Sequence, residues 1–182
     1  KDLTLDIAKN KSDIKDVYKV ILLYDWHLSI AGFAEQTQSI KPLFSESGEI
    51  VINDSINPLF TLDKKEYIPL SLSLGTSKSV LLISGPNSGG KTVVLKSIGL
   101  YQIMFQSGLF IPAKSSEFTI MDSFYSDIGD QQSIKEDLST FTSHIGNIAK
   151  IIESASNKSM VLIDEIGTGT DPEIGAALGC SI

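Results

Sequence analysis

The chain has 182 residues, of which 42% are hydrophobic, and it carries a formal net charge of −7. This size and composition allow one hydrophobic core with an appended helical arm. Duplex DNA is bound largely by Lys and Arg side chains that neutralise phosphates, so the acidic balance argues against a DNA-binding surface in this chain. The single cysteine, Cys180, excludes an internal disulfide framework, and no apolar run is long enough to span a bilayer. These features predict a cytoplasmic location.

The patterns ahead of residue 79 predict one long helix and several short strands. Apolar residues recur at helical spacing between Asp13 and about Gln36. Residues 43–52 predict a hairpin with its turn at 45–48, and alternating leucines at 70–74 predict a strand that ends at Gly75. The helical stripe contains Ile14, Val17, Tyr18, Ile21 and Leu28.

A Gly-rich segment, GPNSGGKT at residues 85–92, follows the apolar run SVLLIS at 79–84 and precedes a predicted helix from Lys91 to about Gln106. Strand, Gly-rich loop and helix is the order required of a loop that cradles phosphates with its backbone N–H groups. In such a loop the Lys reaches the β- and γ-phosphates of ATP, and the Thr hydroxyl is a ligand of Mg²⁺. The alternative is a chance Gly-rich turn. The predicted nucleotide-binding residues are Gly85, Pro86, Asn87, Ser88, Gly89, Gly90, Lys91 and Thr92.

Two further short strands, at 117–121 and 123–125, precede a long polar loop and an amphipathic helix. Ser139 lies near the predicted cap of that helix, with a hydroxyl suited to an anion at a helix start. The alternative is an ordinary capped helix, and His144 within it is interpreted as structural because no metal-ligand spacing includes it. The apolar face of the helix is formed by Phe141, Ile145, Ile148 and Ile152.

An acidic strand end completes the predicted site. Residues 159–165 read SMVLIDE, an apolar strand that ends in two carboxylates. We expect this strand to lie beside strand 79–84, so that Asp164 holds Mg²⁺ opposite Thr92 and Glu165 polarises the attacking water. The second carboxylate favours hydrolysis over phosphoryl transfer to a small molecule. A solvated acidic strand end is the alternative interpretation.

Three segments carry a family resemblance: GPNSGGKT, DIGDQQSIKEDLSTFTSH at 127–144, and LIDEIGTGTDPEIGAAL at 162–178. Together they resemble the ATPase domain of the MutS family, and most closely its second bacterial paralogue. The resemblance implies an α/β P-loop NTPase fold of ABC type, with a mixed sheet flanked by helices. It further implies a helical lever at residues 1–40, an ATPase domain at 41–182, and a chain that stops before the C-terminal part of that domain.

The resemblance also implies partners and roles. Two copies would form a homodimer in which Ser139 of one subunit meets the γ-phosphate held by the other, while Tyr67 would stack on adenine. ATP turnover would be coupled to clamping on branched or mismatched DNA through regions outside this chain, with restraint of recombination and ribosome rescue as associated roles. Asn57 departs from the family pattern, which usually has His at that position.

Composition restricts the chemistry of this site, because all 15 basic residues are Lys. No arginine finger can come from this segment or from an identical copy, so charge on the transferring phosphate must be met by Lys91, Mg²⁺, backbone amides and the partner's Ser139 region. Two alternatives stay open. One is a nucleotide-gated interaction module without turnover, and the other is a different ABC-type DNA-maintenance ATPase, whose signature would lie closer to LSGGQ than to LSTF.

Overall fold

The computed structural model describes residues 2–63, 67–75, 78–86, 89–129, 137–166, 173 and 177. Its helices are α1 (Asp2–Lys9), α2 (Lys11–Thr37), α3 (Pro58–Asp63), α4 (Lys91–Gln106) and α5 (Asp137–Ser154). Its strands are β1 (Leu43–Phe44), β2 (Ile50–Ser55), β3 (Leu70–Leu74), β4 (Ser115–Phe118), β5 (Ser123–Asp127) and β6 (Ser159–Ile163).

Helix α2 confirms the long helix predicted from the periodicity of its sequence. It ends where Gln38 turns left-handed, at φ 52°, and the Gln38 N–H donates to the backbone of the last turn. Only Ala34 and Thr37, near that end, are buried. The apolar stripe between Ile14 and Leu28 stays exposed. In the described part of the chain, none of the helices has the length and apolarity needed to cross a membrane.

The strands form two sheets. Four of them pair in the order β1-β4-β2-β3, in which β1 is parallel to β4 and the other pairs are antiparallel. The predicted hairpin over 43–52 is therefore wrong, because β1 pairs with β4 through Leu43 and Glu117 rather than with β2. The strand predicted at 70–74 is confirmed as β3. Strands β5 and β6 form the second sheet, parallel and in a continuous register that ends at Asp127 and Ile163.

The expected ABC-type P-loop NTPase fold, with one mixed sheet flanked by helices, is wrong. The described strands divide into two small sheets, and residues 79–84 belong to neither of them. Val80 and Leu82 expose 83% and 84% of their surface, whereas a central strand would bury both. An apolar run indicates a tendency to be buried but does not supply the neighbouring strand that sheet formation needs. The molecule is instead a small mixed α/β domain.

Helix α4 anchors the hydrophobic core. Its apolar face packs with both sheets, and the Phe105 ring stacks on Phe118 at a centroid distance of 5.4 Å. The fully buried Gln102 donates through Nε2 to the Thr119 carbonyl at 2.7 Å, which ties α4 to the connection between β4 and β5. The buried cluster consists of Ile50, Ile52, Ile98, Tyr101, Met104, Ile111, Ala113, Phe118 and Met160. This packing fixes the direction in which the start of α4 points.

Tyr101 gives the core a measurable pH dependence. Its side chain is fully buried, and burial raises the pKa of the phenol above its ordinary value near 10. Well below pH 10 the phenol is neutral in both states, so its ionisation does not change the stability. Between the unfolded and the folded pKa only the unfolded chain ionises, so stability falls as pH rises.

We therefore expect Tyr101→Phe to lose less stability than the wild type between pH 9 and about 11. Urea unfolding at several pH values measures this difference. Tyr18→Phe, at an exposed position of α2, is the matched control and should follow the wild type. Parallel loss in all three proteins would contradict the assignment to Tyr101.

Candidate nucleotide-binding site

The Gly-rich segment leads directly into the first turn of α4. Gly90 caps the helix in the left-handed region at φ 76°, and Gly85 lies at φ 153°. Residues other than Gly rarely adopt these backbone angles, so both positions favour Gly. The 16-residue helix places the positive end of its dipole and its unpaired N–H groups at this loop. The two predicted contacts at 87 and 88, Asn87 and Ser88, lie outside the described residues.

Lys91 reaches back over the loop. Its Nζ donates to the Gly85 carbonyl oxygen at 2.7 Å, which joins the beginning of the loop to the start of α4. The ammonium group therefore lies beside the residue at which the loop begins. The start of α4 carries a partial positive charge, and the ammonium group and the helix start together suit a polyanion.

The closest side-chain contact of the site joins α4 to β6. Thr92 Oγ1 donates to Asp164 Oδ2 at 2.6 Å, across 72 residues of sequence. The approach of the two elements is close because Gly99 faces β6: a Cβ atom at this position would lie 2.6 Å from Leu162 Cδ1. The structure thus brings together the two residues that the sequence predicts as metal ligands, although β6 pairs with β5 and not with residues 79–84.

Thr92 and Asp164 supply a hydroxyl and a carboxylate oxygen, which are donors that Mg²⁺ accepts. Within the ranges that the structure describes, no group of three or more His, Cys, Asp or Glu could hold a metal ion. Mg²⁺ is usually bound through one or two protein groups, with phosphates and water completing its coordination. The pair therefore fits Mg²⁺ that arrives with a nucleotide.

Glu165 follows Asp164 in a left-handed conformation, at φ 52°. Such a backbone angle costs a non-Gly residue about 1–2 kcal/mol and turns the chain sharply. The Asp164 side chain is directed at Thr92, while that of Glu165 is exposed to solvent. The separate roles of the two carboxylates stay predictions.

A second polar cluster, which the sequence patterns did not single out, lies beside Asp164. Asp127 ends β5, and its carboxylate contacts His144 Nδ1 at 2.6 Å and accepts from Asn147 Nδ2 at 3.2 Å. The Asp127 backbone carbonyl also accepts the Asp164 N–H at 3.0 Å. A signal existed: β5 and β6 both end in a sequence where an Asp follows the strand's apolar and aromatic residues, and a His and an Asn lie three residues apart on one helix.

The other predicted positions are less closely connected to this site. Tyr67 lies before β3, outside the helices and strands, with 43% of its surface exposed. Ser139 lies in the first turn of α5, where the backbone alone is described. Asn57, which stands where the family usually has His, donates to Ser97 Oγ of α4 at 2.8 Å and caps α3 by accepting the Leu59 N–H. This residue therefore supports the helix that carries Lys91 and Thr92.

Fold and site together define a small mixed α/β domain with a Gly-rich helix start and a paired hydroxyl and carboxylate. Residues 81–182 match the family model for MutS domain V. The chain therefore belongs to the MutS family, in its MutS2 branch, as the sequence motifs predicted.

The chain is similar to several curated proteins called Endonuclease MutS2. It is 44% identical over 182 residues to the protein of Clostridium perfringens strain SM101, which covers 100% of this chain and 23% of that protein. The protein of Halothermothrix orenii is 41% identical over 183 residues, with the same shares of the two chains. The protein of Carboxydothermus hydrogenoformans is 43% identical, again with 100% of this chain and 23% of the relative covered. The chain thus spans about a quarter of the length of these relatives.

Proposed function

We propose that this chain is the nucleotide-binding part of a longer MutS-type DNA-maintenance protein that binds ATP with Mg²⁺ and hydrolyses the nucleotide. The observation that carries the proposal is the 2.6 Å contact between Thr92 Oγ1 and Asp164 Oδ2 at the start of α4. A hydroxyl from a Gly-rich helix start and a carboxylate from a strand end are the two protein groups that hold Mg²⁺ in many nucleotide hydrolases. Here they meet although they lie far apart in sequence.

Each group at the site has a distinct part in this proposal. The loop from Gly85 to Gly90 holds phosphates through backbone N–H groups, and Lys91 neutralises their charge from the position it occupies over the loop. Thr92 and Asp164 orient the metal, which screens the phosphate oxygens when it is bound. Glu165 accepts a proton from the attacking water. Tyr67 is proposed to stack on the adenine ring.

A partner subunit completes the proposed site. No arginine is available in the chain, since all 15 basic residues are Lys. A second copy would therefore present the start of α5, with Ser139, to the terminal phosphate, where a helix N-terminus favours an anion. This proposal makes the active assembly a homodimer, with residues 1–40 as a helical connector and residues 41–182 as the nucleotide-binding domain.

The role of the whole protein is a proposal that rests on family membership. A net charge of −7 argues that DNA is contacted by other regions. ATP turnover would be coupled to clamping on branched or mismatched DNA in the cytoplasm, with restraint of recombination and rescue of ribosomes as associated roles.

The binding step can be tested on the chain itself. Mg·ATP at a hundredfold excess over its dissociation constant is expected to raise the free energy of unfolding by about 2.7 kcal/mol. Lys91→Ala should remove most of this gain, because the variant loses the charge over the loop. Lys96→Ala, which removes a Lys from the exposed face of the same helix, is the matched control and should keep the gain.

Thermal unfolding with and without Mg·ATP, in samples shown to be folded by circular dichroism, measures these shifts. An unchanged midpoint in the wild type at saturating ATP would contradict nucleotide binding. An equal shift in wild type and Lys91→Ala would contradict the site while leaving nucleotide binding possible elsewhere in the molecule.

A further inference from the structure

The polar cluster around Asp127 connects α5 to the end of β5. The Asp127 side chain is buried, with 7% of the residue exposed, and the structure gives both of its carboxylate oxygens a partner on α5. One oxygen lies 2.6 Å from His144 Nδ1 and the other accepts from Asn147 Nδ2 at 3.2 Å. A buried carboxylate is costly unless its oxygens are satisfied. The helix is therefore held at a specific rotation and height by the requirement to pair with Asp127.

The same residue is attached to the candidate metal pair. The Asp127 carbonyl accepts the Asp164 N–H at 3.0 Å, which extends the parallel pairing of β5 and β6 by one residue. Asp164 in turn accepts the Thr92 hydroxyl at 2.6 Å. A continuous chain of hydrogen bonds thus runs from α5 through Asp127 and Asp164 to the first turn of α4.

Apolar packing alone would hold α5 less specifically. Ile148 and Ile151 are buried against the rest of the domain, but Ile152, predicted on the same face, is 61% exposed. Hydrophobic contacts tolerate small sliding movements, whereas a hydrogen bond loses its strength steeply with misalignment. The His144 imidazole also lies next to Gly129 in the loop after β5, because a Cβ atom on Gly129 would lie 3.6 Å from His144 Cε1.

We propose that Asp127, His144 and Asn147 are positioning residues for hydrolysis, which hold α5 against β5 in the orientation from which its start is presented to the nucleotide of the partner subunit. This inference rests on the proposed function. The contacts of the described residues connect these three to the nucleotide site through backbone and neighbouring side chains, so they affect the rate of the chemical step and leave nucleotide affinity unchanged. A displacement of about 1 Å of a positioned group can lower a rate by about 10²-fold.

The test uses a full-length protein that contains this chain. His144→Ala is expected to lower kcat for ATP hydrolysis by about 10- to 100-fold, the usual effect of losing a residue that orients a metal-site ligand, with KM changed by less than about twofold. His144→Asn keeps a nitrogen donor at the δ position and should recover most of the rate. His144→Gln places its nitrogen one bond further out and should not. Lys150→Ala, on the exposed face of the same helix, is the control.

The outcomes separate the inference from the function on which it rests. Loss of kcat in the Ala and Gln variants with recovery in Asn supports a positioning role. Equal rates in His144→Asn and His144→Gln would overturn this role, and so would a rise in KM that accounts for the lost activity. If His144→Ala fails to fold, the comparison of the Asn and Gln variants decides the question. A wild-type protein that does not hydrolyse ATP would overturn the proposed function and this inference together. If His144→Ala hydrolyses ATP at the wild-type rate, the inference is overturned and the proposed function is not.

Discussion

Replacement of Glu165 by Gln in a full-length protein is expected to slow ATP hydrolysis by about 10²- to 10⁴-fold, the usual contribution of a positioned general base. Gln fills the same volume but cannot accept a proton from water. ATP binding should persist, because the phosphates and metal are held by other groups. Single-turnover measurement of phosphate release, at enzyme in excess over ATP, reports the chemical step without product release.

Gln is the suitable replacement because of the backbone at this position. Glu165 lies at φ 52°, a conformation that costs Glu and Gln about the same. Glu165→Gly would remove the carboxylate but would also relieve the strain and loosen the turn after Asp164. A lower rate in the Gln variant therefore reports the lost carboxylate and not a change of backbone.

Asp164→Asn supplies the contrasting variant. The Asn oxygen can still accept the hydrogen bond that Thr92 Oγ1 makes at 2.6 Å, so the contact between α4 and β6 is kept while the charge is removed. We expect weaker Mg²⁺-dependent binding of ATP from this variant, in contrast to the intact binding of Glu165→Gln. Hydrolysis by Glu165→Gln at the wild-type rate, with chemistry rate-limiting, would show that Glu165 does not activate water. ATP binding without any turnover in the wild type would favour the nucleotide-gated interaction module.

Local sequence patterns predicted the helices and the strand ends of the candidate site well. The segment GPNSGGKT predicts a helix that begins at Lys91, because a Gly-rich turn ahead of an apolar helical pattern is typical of a helix start. The strand SMVLI ends where two carboxylates follow, as predicted. Thr92 and Asp164 could be paired from sequence because the two motifs together imply a shared metal.

The same patterns did not predict which strands pair with each other. The run at 79–84 is as apolar as β6, yet the structure leaves it outside both sheets, and β1 joins β4 rather than its neighbour β2. Strand pairing is decided by contacts between distant segments, and period-two patterns do not identify the partner. The ABC-type arrangement was expected from the resemblance, and its failure changes the neighbour of β6 but not the contact between Thr92 and Asp164.

The cluster around Asp127 was missed for a different reason. A single His on a helix is usually structural, and its meaning depends on what faces it. His144 and Asp127 lie 17 residues apart, across the polar loop that precedes α5, so their contact is a tertiary feature. Asn57 is similar: its 2.8 Å contact with Ser97, 40 residues away, ties α3 to α4, although no sequence pattern connects the two residues.

Ser139→Ala in a full-length protein is expected to lower hydrolysis while nucleotide affinity of the isolated chain stays nearly unchanged. The proposed homodimer gives the reason: the hydroxyl at the start of α5 acts on the nucleotide of the opposite subunit, so it contributes only when two subunits meet. A purely local role in the first turn of α5 predicts a change in stability and no specific loss of turnover. Calorimetry of the isolated chain and hydrolysis by the full-length variant separate these two cases.

A mixing experiment then distinguishes action across the dimer from action within one subunit. Ser139→Ala subunits mixed with Lys91→Ala subunits form heterodimers with one intact composite site and one site that carries both changes. If Ser139 acts across the dimer, activity should rise above that of either variant and reach its maximum near equal amounts. If it acts within its own subunit, every site carries one damaged component and the rate stays at the level of the variants. Subunit exchange is confirmed beforehand by energy transfer between labelled copies, because a flat response counts against the trans assignment only when heterodimers are present.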